Sequence, residues 1–600
     1  MHKEVKQKKQ NLGIFYTDQR IVGFIFDILK IWKEKENKET GRWESRKHFP
    51  SVIDPAVGEG VFLKTAIETG FTKTDYIFGL DVDEEAVKKW KQINLLKEFG
   101  GKEEDLEAHF FHQNGLDRIH WEQHKNKYQH KLKQKDINTQ QFDTVIGNPP
   151  YGGVGLGDTE LTNDLMIQLA NFEILSENVK NNLIVANTQK DLFNSNKQLA
   201  IKSDAKQKIK SFSIEILFLE RFIQLAKHGG WIAIIIPDGI LTNSNSHYVR
   251  EFISKKAKVE AIISLPRDAF KSVGTSAKTS ILFLRKYKDQ EKEQNNYPVF
   301  LASVESLDEK NFNLVKDNYK NYYNKTMSNK NLVQITTDEN GQEIVMVRVD
   351  KTLKELMDEK PASRWSPEYW HQKYVENLEI LRESKFNIKT IGQFEDRLTY
   401  GAIITGKKDY SGKDVFLVNQ GDIDYTGLNL VGSKLVKRDS PWVIERAKLK
   451  DKSILFARSG VAGVGKNRIT IAISPPSAVV DSFVDILDLN REINPFYVIV
   501  FWKSMFGWLQ IERFINGVGT VNISFDEVRA IQIPIIPILI QEHIESEYKE
   551  MSKYHDKAIS AKKNNNETGY KENIETAEKM LKDLIAKTEA VIRGEKKDVI

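Results

Sequence analysis

There is no cysteine among the 600 residues, so disulfides and cysteine-based metal sites are excluded, and a reducing, cytoplasmic setting is the compatible one. No apolar run reaches the roughly 18 residues that a membrane span takes, so no membrane partner is expected. The charged opening, Met1 to Gln10, leads into no apolar stretch, and no secretory leader is expected. A strong excess of one charge is missing too. Net charge is +5 with pI ≈ 8.7, which permits a nucleic-acid partner without requiring one. The length is too great for one ordinary core, so two or three domains are expected.

What is present centres on Val145-Ile146-Gly147-Asn148-Pro149-Pro150-Tyr151. A buried strand runs into a stiff loop. Two consecutive prolines fix φ and remove two backbone donors, and Pro149 pushes Asn148 away from the α region. A loop at a strand's C-terminal end is where open α/β sheets bind ligands. The Asn148 side-chain oxygen and the Pro149 carbonyl can accept two N–H bonds from an exocyclic amine, and Tyr151 can stack on its ring. The same residues also read as a plain β-turn, because Asn-Pro and Pro-Pro are ordinary turn signals. Asn-Pro-Pro-Tyr resembles the catalytic motif of amino-methyltransferases, above all the N6-adenine DNA methyltransferases. The resemblance implies that Asn148, Pro149, Pro150 and Tyr151 are the catalytic set.

The segments before this loop follow the same family's order. Gly13-Ile-Phe-Tyr-Thr17 resembles the Gly-x-Phe-Tyr-Thr opening of the gamma class, where the Thr lies against the methionine part of S-adenosylmethionine (AdoMet). By themselves these residues also read as a loop with Thr17 or Asp18 capping the helix that follows. Asp54-Pro55-Ala56-Val-Gly58-Glu-Gly60 then joins a strand to a helix. Its glycines allow close backbone approach, the helix N-terminus suits a carboxylate, and Asp54 suits an ammonium. Asp81 ends the next strand, 21 positions after Gly60, where an acid accepts ribose hydroxyls in Rossmann-like sites. Asp83 reads as a cap for the helix behind it. Asn114 stands where the family places a polar residue against the cofactor's adenine, a place in which many members carry Asp. His109 and His112 are not metal ligands on this reading, since their segment is a strand, and no metal is expected.

After Tyr151, Gly152 to Asp158 and the lysine-bearing stretch to Ser211 read either as solvated surface or as a DNA-contacting lid. Ser213 to His228 reads as a helix. Phe218 on it is most simply core, but it matches an aromatic that stacks on the flipped base in some relatives. Gly229 to Leu241, Ile262 to Phe270 and a hairpin strand at Thr275 to Leu284 resemble the closing motifs of type I restriction-modification modification subunits. The resemblance covers residues 11–290. One departure is that type I subunits carry a long helical domain before Gly-x-Phe-Tyr-Thr, where only about ten residues stand here. With no room there for a nuclease domain, no endonuclease activity is expected.

Residues 291–363 read as a polar connecting region with a few strands and a helix near Lys351 to Glu359. Gly460 to Lys466 has the spacing of a nucleotide-binding loop, but Asn467 stands where a magnesium-binding Ser or Thr is needed and a strand follows. The surrounding Ala457-Arg458-Ser-Gly460 instead resembles target recognition domains of type I specificity subunits, as do Val479 to Val484 and Asn516 to Ser524. Toward the end, Ile574, Ala577, Leu581, Leu584, Thr588 and Val591 step in coiled-coil spacing. The seam packs on the same chain or serves a homodimer, and the dimer is the expectation.

The expected fold class is α/β: a Rossmann-like AdoMet-dependent methyltransferase sheet over 1–290, the connecting region 291–363, an α+β target recognition domain over 364–540, and a helical spacer or dimerisation segment over 541–600. The expected function is site-specific transfer of methyl from AdoMet to the N6 of a flipped adenine in double-stranded DNA, within a restriction-modification system that could include a separate restriction subunit. The alternatives are a catalytically weak DNA-specificity or scaffold protein, and a methyltransferase acting on RNA or on protein glutamine.

Overall fold

In a computed structural model, described at 17–43, 49–86, 109–117, 142–151, 165, 169, 172–175, 185–186, 199–200, 212–271, 277–328, 331–405, 408–460, 462–515 and 521–600, the chain divides into two units. These are Met1–Pro367 and Glu368–Ile600. The expected start of the second domain, residue 364, falls four positions earlier.

The first unit opens with α1 (Gln19–Thr40). Asp18, not Thr17, caps it by accepting the Arg20 N–H at 2.9 Å, and Gly41 ends it in the left-handed region. Its apolar stripe, from Ile21 to Trp32, lies wholly in the core. Then follow β1 (Val52–Asp54), α2 (Val61–Glu68), β2 (Ile77–Asp81), β3 (Phe110–His112), β4 (Phe142–Gly147), α3 (Ile214–Leu225), β5 (Ala226–Pro237), α4 (His247–Lys256), β6 (Ala257–Ser264), β7 (Thr279–Lys286), β8 (Phe300–Val304), α5 (Glu309–Tyr323), β9 (Val333–Thr337) and β10 (Glu343–Arg348). They form one ten-stranded sheet in the order β9-β10-β8-β6-β7-β5-β4-β1-β2-β3. Strands β3, β2, β1, β4 and β5 run parallel, as expected for strands buried on both faces. The expected hairpin is present: β7 is antiparallel to both β5 and β6.

Chain order reverses between β1 and β4. From β1 the chain winds outward through β2 and β3, then returns to β4 on the other side. This is a topological switch point, and Asp54 and Asn148 both lie there at strand C-terminal ends. One face of the sheet is sealed by aromatics. Trp32 packs edge-on against Phe283 and Trp231, and its Nε1 donates to the Tyr319 hydroxyl at 2.5 Å. Each such fully buried apolar side chain contributes about 1.5–3 kcal/mol.

The stretch expected as a connecting region differs from that expectation. Three of its segments, β8, β9 and β10, extend the sheet, with β8 parallel to β6 and antiparallel to β10. Phe300 to Val304 is buried at every position, so it needs a strand neighbour and a covering helix, and α5 lies on the same core. The helix near Lys351 is Leu353–Asp358, started by a capping box between Thr352 and Glu355.

The second unit contains α6 (Gln372–Glu383), β11 (Glu395–Tyr400), β12 (Val415–Val418), β13 (Lys434–Val436), β14 (Ile454–Ala457), β15 (Ile469–Ile471), β16 (Ala478–Val480), β17 (Val484–Leu489), α7 (Pro495–Lys503), α8 (Met505–Ile515), α9 (Phe525–Ala530), α10 (Ile538–Lys563) and α11 (Glu567–Ile592). Two small sheets run β11-β17-β14-β15 and β13-β12-β16. The segment from Gly463 to Asn467 is a tight turn into β15 and opens no α-helix, so the nucleotide-loop spacing is incidental. Helices α10 and α11 are joined by a three-residue turn and pack on one another. Ala577, Leu581, Leu584, Thr588 and Val591 are all buried within the chain. The coiled-coil seam read from the sequence is therefore occupied by the chain's own helices.

Candidate active site

The site is built on the neighbouring ends of β1 and β4. Asp54 ends β1 and is fully buried; its Oδ1 accepts the Ala56 N–H at 3.0 Å. Burial holds this carboxyl well above the usual range, the Ala56 N–H opposes that, and the nearby Asp81 adds to it. Among the described residues its buried Oδ2 has no hydrogen-bond partner, an acceptor that a cationic group would satisfy.

Beyond Asp54 the backbone turns sharply. Val57 donates to the Leu80 carbonyl at 2.9 Å, Gly58 takes φ 51°, and Gly60 takes φ 82° as the residue before α2. Only glycine holds such angles cheaply. Asp81 braces this loop: Oδ2 accepts the Gly58 N–H at 2.7 Å and Oδ1 accepts the Asp83 N–H at 2.8 Å. Burial raises the Asp81 carboxyl, and the Asp83 and Gly58 N–H groups partly restore it. Asp83 in turn accepts the Glu85 N–H at 3.2 Å, the capping role expected of it.

On β4, Gly147 has φ 152°, and a Cβ there would stand 2.5 Å from Asp54 Oδ1. The loop that follows β4 and the loop that follows β1 thus meet at van der Waals distance. Asn148 is half-buried, and its Nδ2 donates to Thr17 Oγ1 at 3.1 Å. Its side chain also interacts with the Tyr151 hydroxyl. Burial pushes the Tyr151 phenol up, so it stays neutral. Pro149 is buried and Pro150 half-buried. Tyr151 is fully enclosed, with Phe270 edge-on at 6.4 Å. Residues far apart in sequence, Thr17, Asp54 and Asn148 to Tyr151, are therefore brought together. Gly13 to Tyr16, Gly152 to Asp158 and the lysines from Lys180 to Lys210 lie outside the described residues.

Asn114 follows β3. Its side-chain oxygen accepts the Leu116 N–H at 3.0 Å, which folds the turn. Gly115 has no room for a Cβ, because the Pro55 carbonyl oxygen stands in its place. Phe218 is buried on α3 with its ring against Gly115, so it packs on the turn that carries Asn114. His109 is buried with Nδ1 2.7 Å from the Ile77 carbonyl oxygen.

Two charged residues on α3 escaped the sequence reading. Arg221 is fully buried; its Nε donates to the Gly115 carbonyl at 3.1 Å and its Nη2 to the Asp117 carbonyl at 2.9 Å. Glu220 accepts the backbone N–H groups of Glu173 and Ile174 at 2.7 and 2.9 Å. The signal was available: Glu220-Arg221 interrupts a helix that is apolar at Leu217, Phe218, Leu219, Phe222 and Ile223. A charged pair inside such a stripe has to find partners in the interior.

Residues 75–270 match the Eco57I restriction-modification methylase family. The matched span is about a third of the chain. The matched span holds Asp81, Asn114, Asn148 to Tyr151 and Phe218, while Thr17, Asp54, Gly58 and Gly60 precede it. The chain is also similar to the type II restriction enzyme and methyltransferase RM.Eco57I of Escherichia coli, with 27% identity over 165 residues, 26% of this chain and 13% of that protein. It is 24% identical over 218 residues to the uncharacterised protein YtxK of Bacillus subtilis (strain 168), covering 36% of this chain and 46% of YtxK. The chain thus spans less than half the length of either curated relative. Among solved structures, the type IIG restriction endonuclease BpuSI superposes with a TM-score of 0.42 and 14% identity, covering 95% of this chain and 66% of BpuSI.

Proposed function

We propose that this chain is a site-specific DNA methyltransferase of a restriction-modification system and that its product is N6-methyladenine. The carrying observation is the Asn148-Pro-Pro-Tyr151 loop at the switch point, its amide tethered to Thr17 and its base abutting Asp54. When bound, AdoMet supplies a methyl group activated by its sulfonium. Asp54 would hold the methionine ammonium, the Gly58–Gly60 loop and the α2 N-terminus its carboxylate, Asp81 the ribose, and Asn114 the adenine.

Adenine N6 is a poor nucleophile because its lone pair is delocalised into the ring. Acceptance of its two N–H bonds by the Asn148 oxygen and the Pro149 carbonyl localises that pair toward the methyl. The Thr17 hydroxyl takes the Asn148 Nδ2 donor, so the amide oxygen would be the group that serves the substrate. The step then needs positioning more than a strong base. The target atom is stacked in the duplex, so the adenine must be flipped out. Tyr151 holds the base plane, and its enclosure means that the ring has to be uncovered as the base enters. The second unit is read as the domain that selects the DNA sequence, and Phe218 as support for the cofactor's adenine side.

Incubating the full chain with duplex DNA and methyl-labelled AdoMet, then digesting to nucleosides, tests this. Label in N6-methyl-2′-deoxyadenosine, lost in Asn148→Ala, is the expected result. Label in RNA or protein alone sinks the DNA reading, and cofactor binding without transfer to any acceptor favours the scaffold alternative. We read the chain as modifying DNA without cutting it. Nicking of supercoiled plasmid with magnesium would show otherwise. A separate restriction subunit stays part of the proposal. A homodimer would need a surface other than the α10–α11 seam.

A further inference from the structure

We propose that Arg458 is a base-reading side chain of the second unit, and that the edge it reads carries two adjacent acceptors, as guanine does in the major groove. The proposal rests on the DNA-binding reading above and names a residue that reads it.

Arg458 follows the last residue of β14. Its backbone is pinned on both sides, the N–H to the Phe483 carbonyl at 2.9 Å and the carbonyl to the Ile523 N–H at 3.3 Å. Its guanidinium lies over the Tyr400 ring at 4.4 Å and within 5.4 Å of the Phe525 ring centre. Those two rings pack on each other at 6.0 Å. Much of the side chain's rotamer freedom is therefore already spent. Among the described residues, no carboxylate or carbonyl accepts from its N–H groups, and the residue is only half-buried.

The other arginines of this unit that are buried or half-buried are committed. Arg397 bonds Asp488, Arg468 bonds the Ala462 carbonyl, Arg513 bonds the Tyr369 carbonyl, and Arg529 takes Glu395 through two nitrogens. A planar fork that lies against two rings, is half-buried and has no hydrogen-bond acceptor among the described residues suits bidentate recognition.

Two neighbours support a recognition role. Asp485, opposite Tyr400 in the β11–β17 register, is fully buried with neither carboxylate oxygen hydrogen-bonded. Burial raises its carboxyl to about 7, and Arg458 is the charge that opposes this. Phe483, whose carbonyl holds the Arg458 backbone, is an apolar residue 49% exposed at the same turn.

A phosphate contact is the competing role for any DNA-binding arginine, and it predicts different data. The test is selection from a randomised duplex pool by the full chain as wild type, Arg458→Ala and Arg458→Lys, with binding measured against salt. The expected result is a wild-type motif containing a G whose preference, roughly ten- to hundredfold, disappears in both variants while other positions keep theirs. Arg458→Lys keeps the charge and loses the fork, so it decides the matter if the alanine variant does not fold. A uniform loss of affinity with the salt slope reduced by about one, or an unchanged motif, overturns the proposal. A wild-type chain that enriches no sequence overturns the DNA-binding reading and this proposal together, which separates that failure from a variant that merely keeps the wild-type motif.

Discussion

Replacing Lys503 by methionine should stabilise the protein at neutral pH. Lys503 ends α7 and is 6% exposed, and its Nζ has no hydrogen-bond partner. Its ammonium lies over the Tyr425 ring, 4.4 Å away. Burial lowers its ordinary lysine value to about 7. The folded value then lies below the unfolded one, so the unfolded chain binds more protons in the window between them. Stability attributable to this group is lowest near neutrality and rises with pH toward about 10. At about 1.36 kcal/mol per pH unit, the cost is about 4 kcal/mol at pH 7 and about 1 kcal/mol near pH 9.5. Loss of the Tyr425 contact returns about 1 kcal/mol. Lys503→Met should therefore exceed the wild type by about 3 kcal/mol at pH 7, an advantage that falls to about 1 kcal/mol near pH 9.5, where the folded amine is neutral and the cation–π contact is already lost. Urea unfolding followed by tryptophan fluorescence measures it, with Trp502 adjacent as reporter. A variant no more stable at pH 7, or an advantage equal at both pH values, would refute the reasoning.

Three further substitutions probe the site. Thr17→Val removes one neutral hydrogen bond to Asn148 and should slow methyl transfer roughly three- to tenfold, with Thr17→Ser restoring it and cofactor affinity little changed. Gly147→Ala places a Cβ 2.5 Å from Asp54 Oδ1 at φ 152°, and should cost about 1–3 kcal/mol in urea unfolding and weaken AdoMet binding. Unchanged calorimetric affinity would separate the two loops. Arg221→Gln strands the carbonyls of Gly115 and Asp117 and should cost about 3 kcal/mol; if Asn114 meets the cofactor, AdoMet affinity falls as well.

The parts of the site legible in the sequence are those whose chemistry is local. Gly58 and Gly60 announce a backbone that only glycine accepts, and Asn148-Pro-Pro announces a stiff loop after an apolar strand. Asp81 was legible through its distance from that glycine loop. What could not be read depends on partners distant in the chain. Phe300 to Val304 is a short apolar run in polar surroundings, and nothing local says that it pairs with Ala261 to Ser264. The heptad spacing of Ile574 to Val591 fixes an apolar stripe but not which helix covers it. The apolar neighbours of Arg221 say that it is buried, but not that the Gly115 and Asp117 carbonyls after β3 are what it bonds.

The near-contact between Asp54 and Gly147 bears on how a catalytic cycle ends. In the proposed reaction two products must leave, the demethylated cofactor from the glycine loop and the methylated base from the proline loop. These loops rise from adjacent parallel strands with no slack between them, so a shift of one is passed sideways to the other. Departure of either product should loosen the hold on its companion, and the two release rates should respond to the same substitutions.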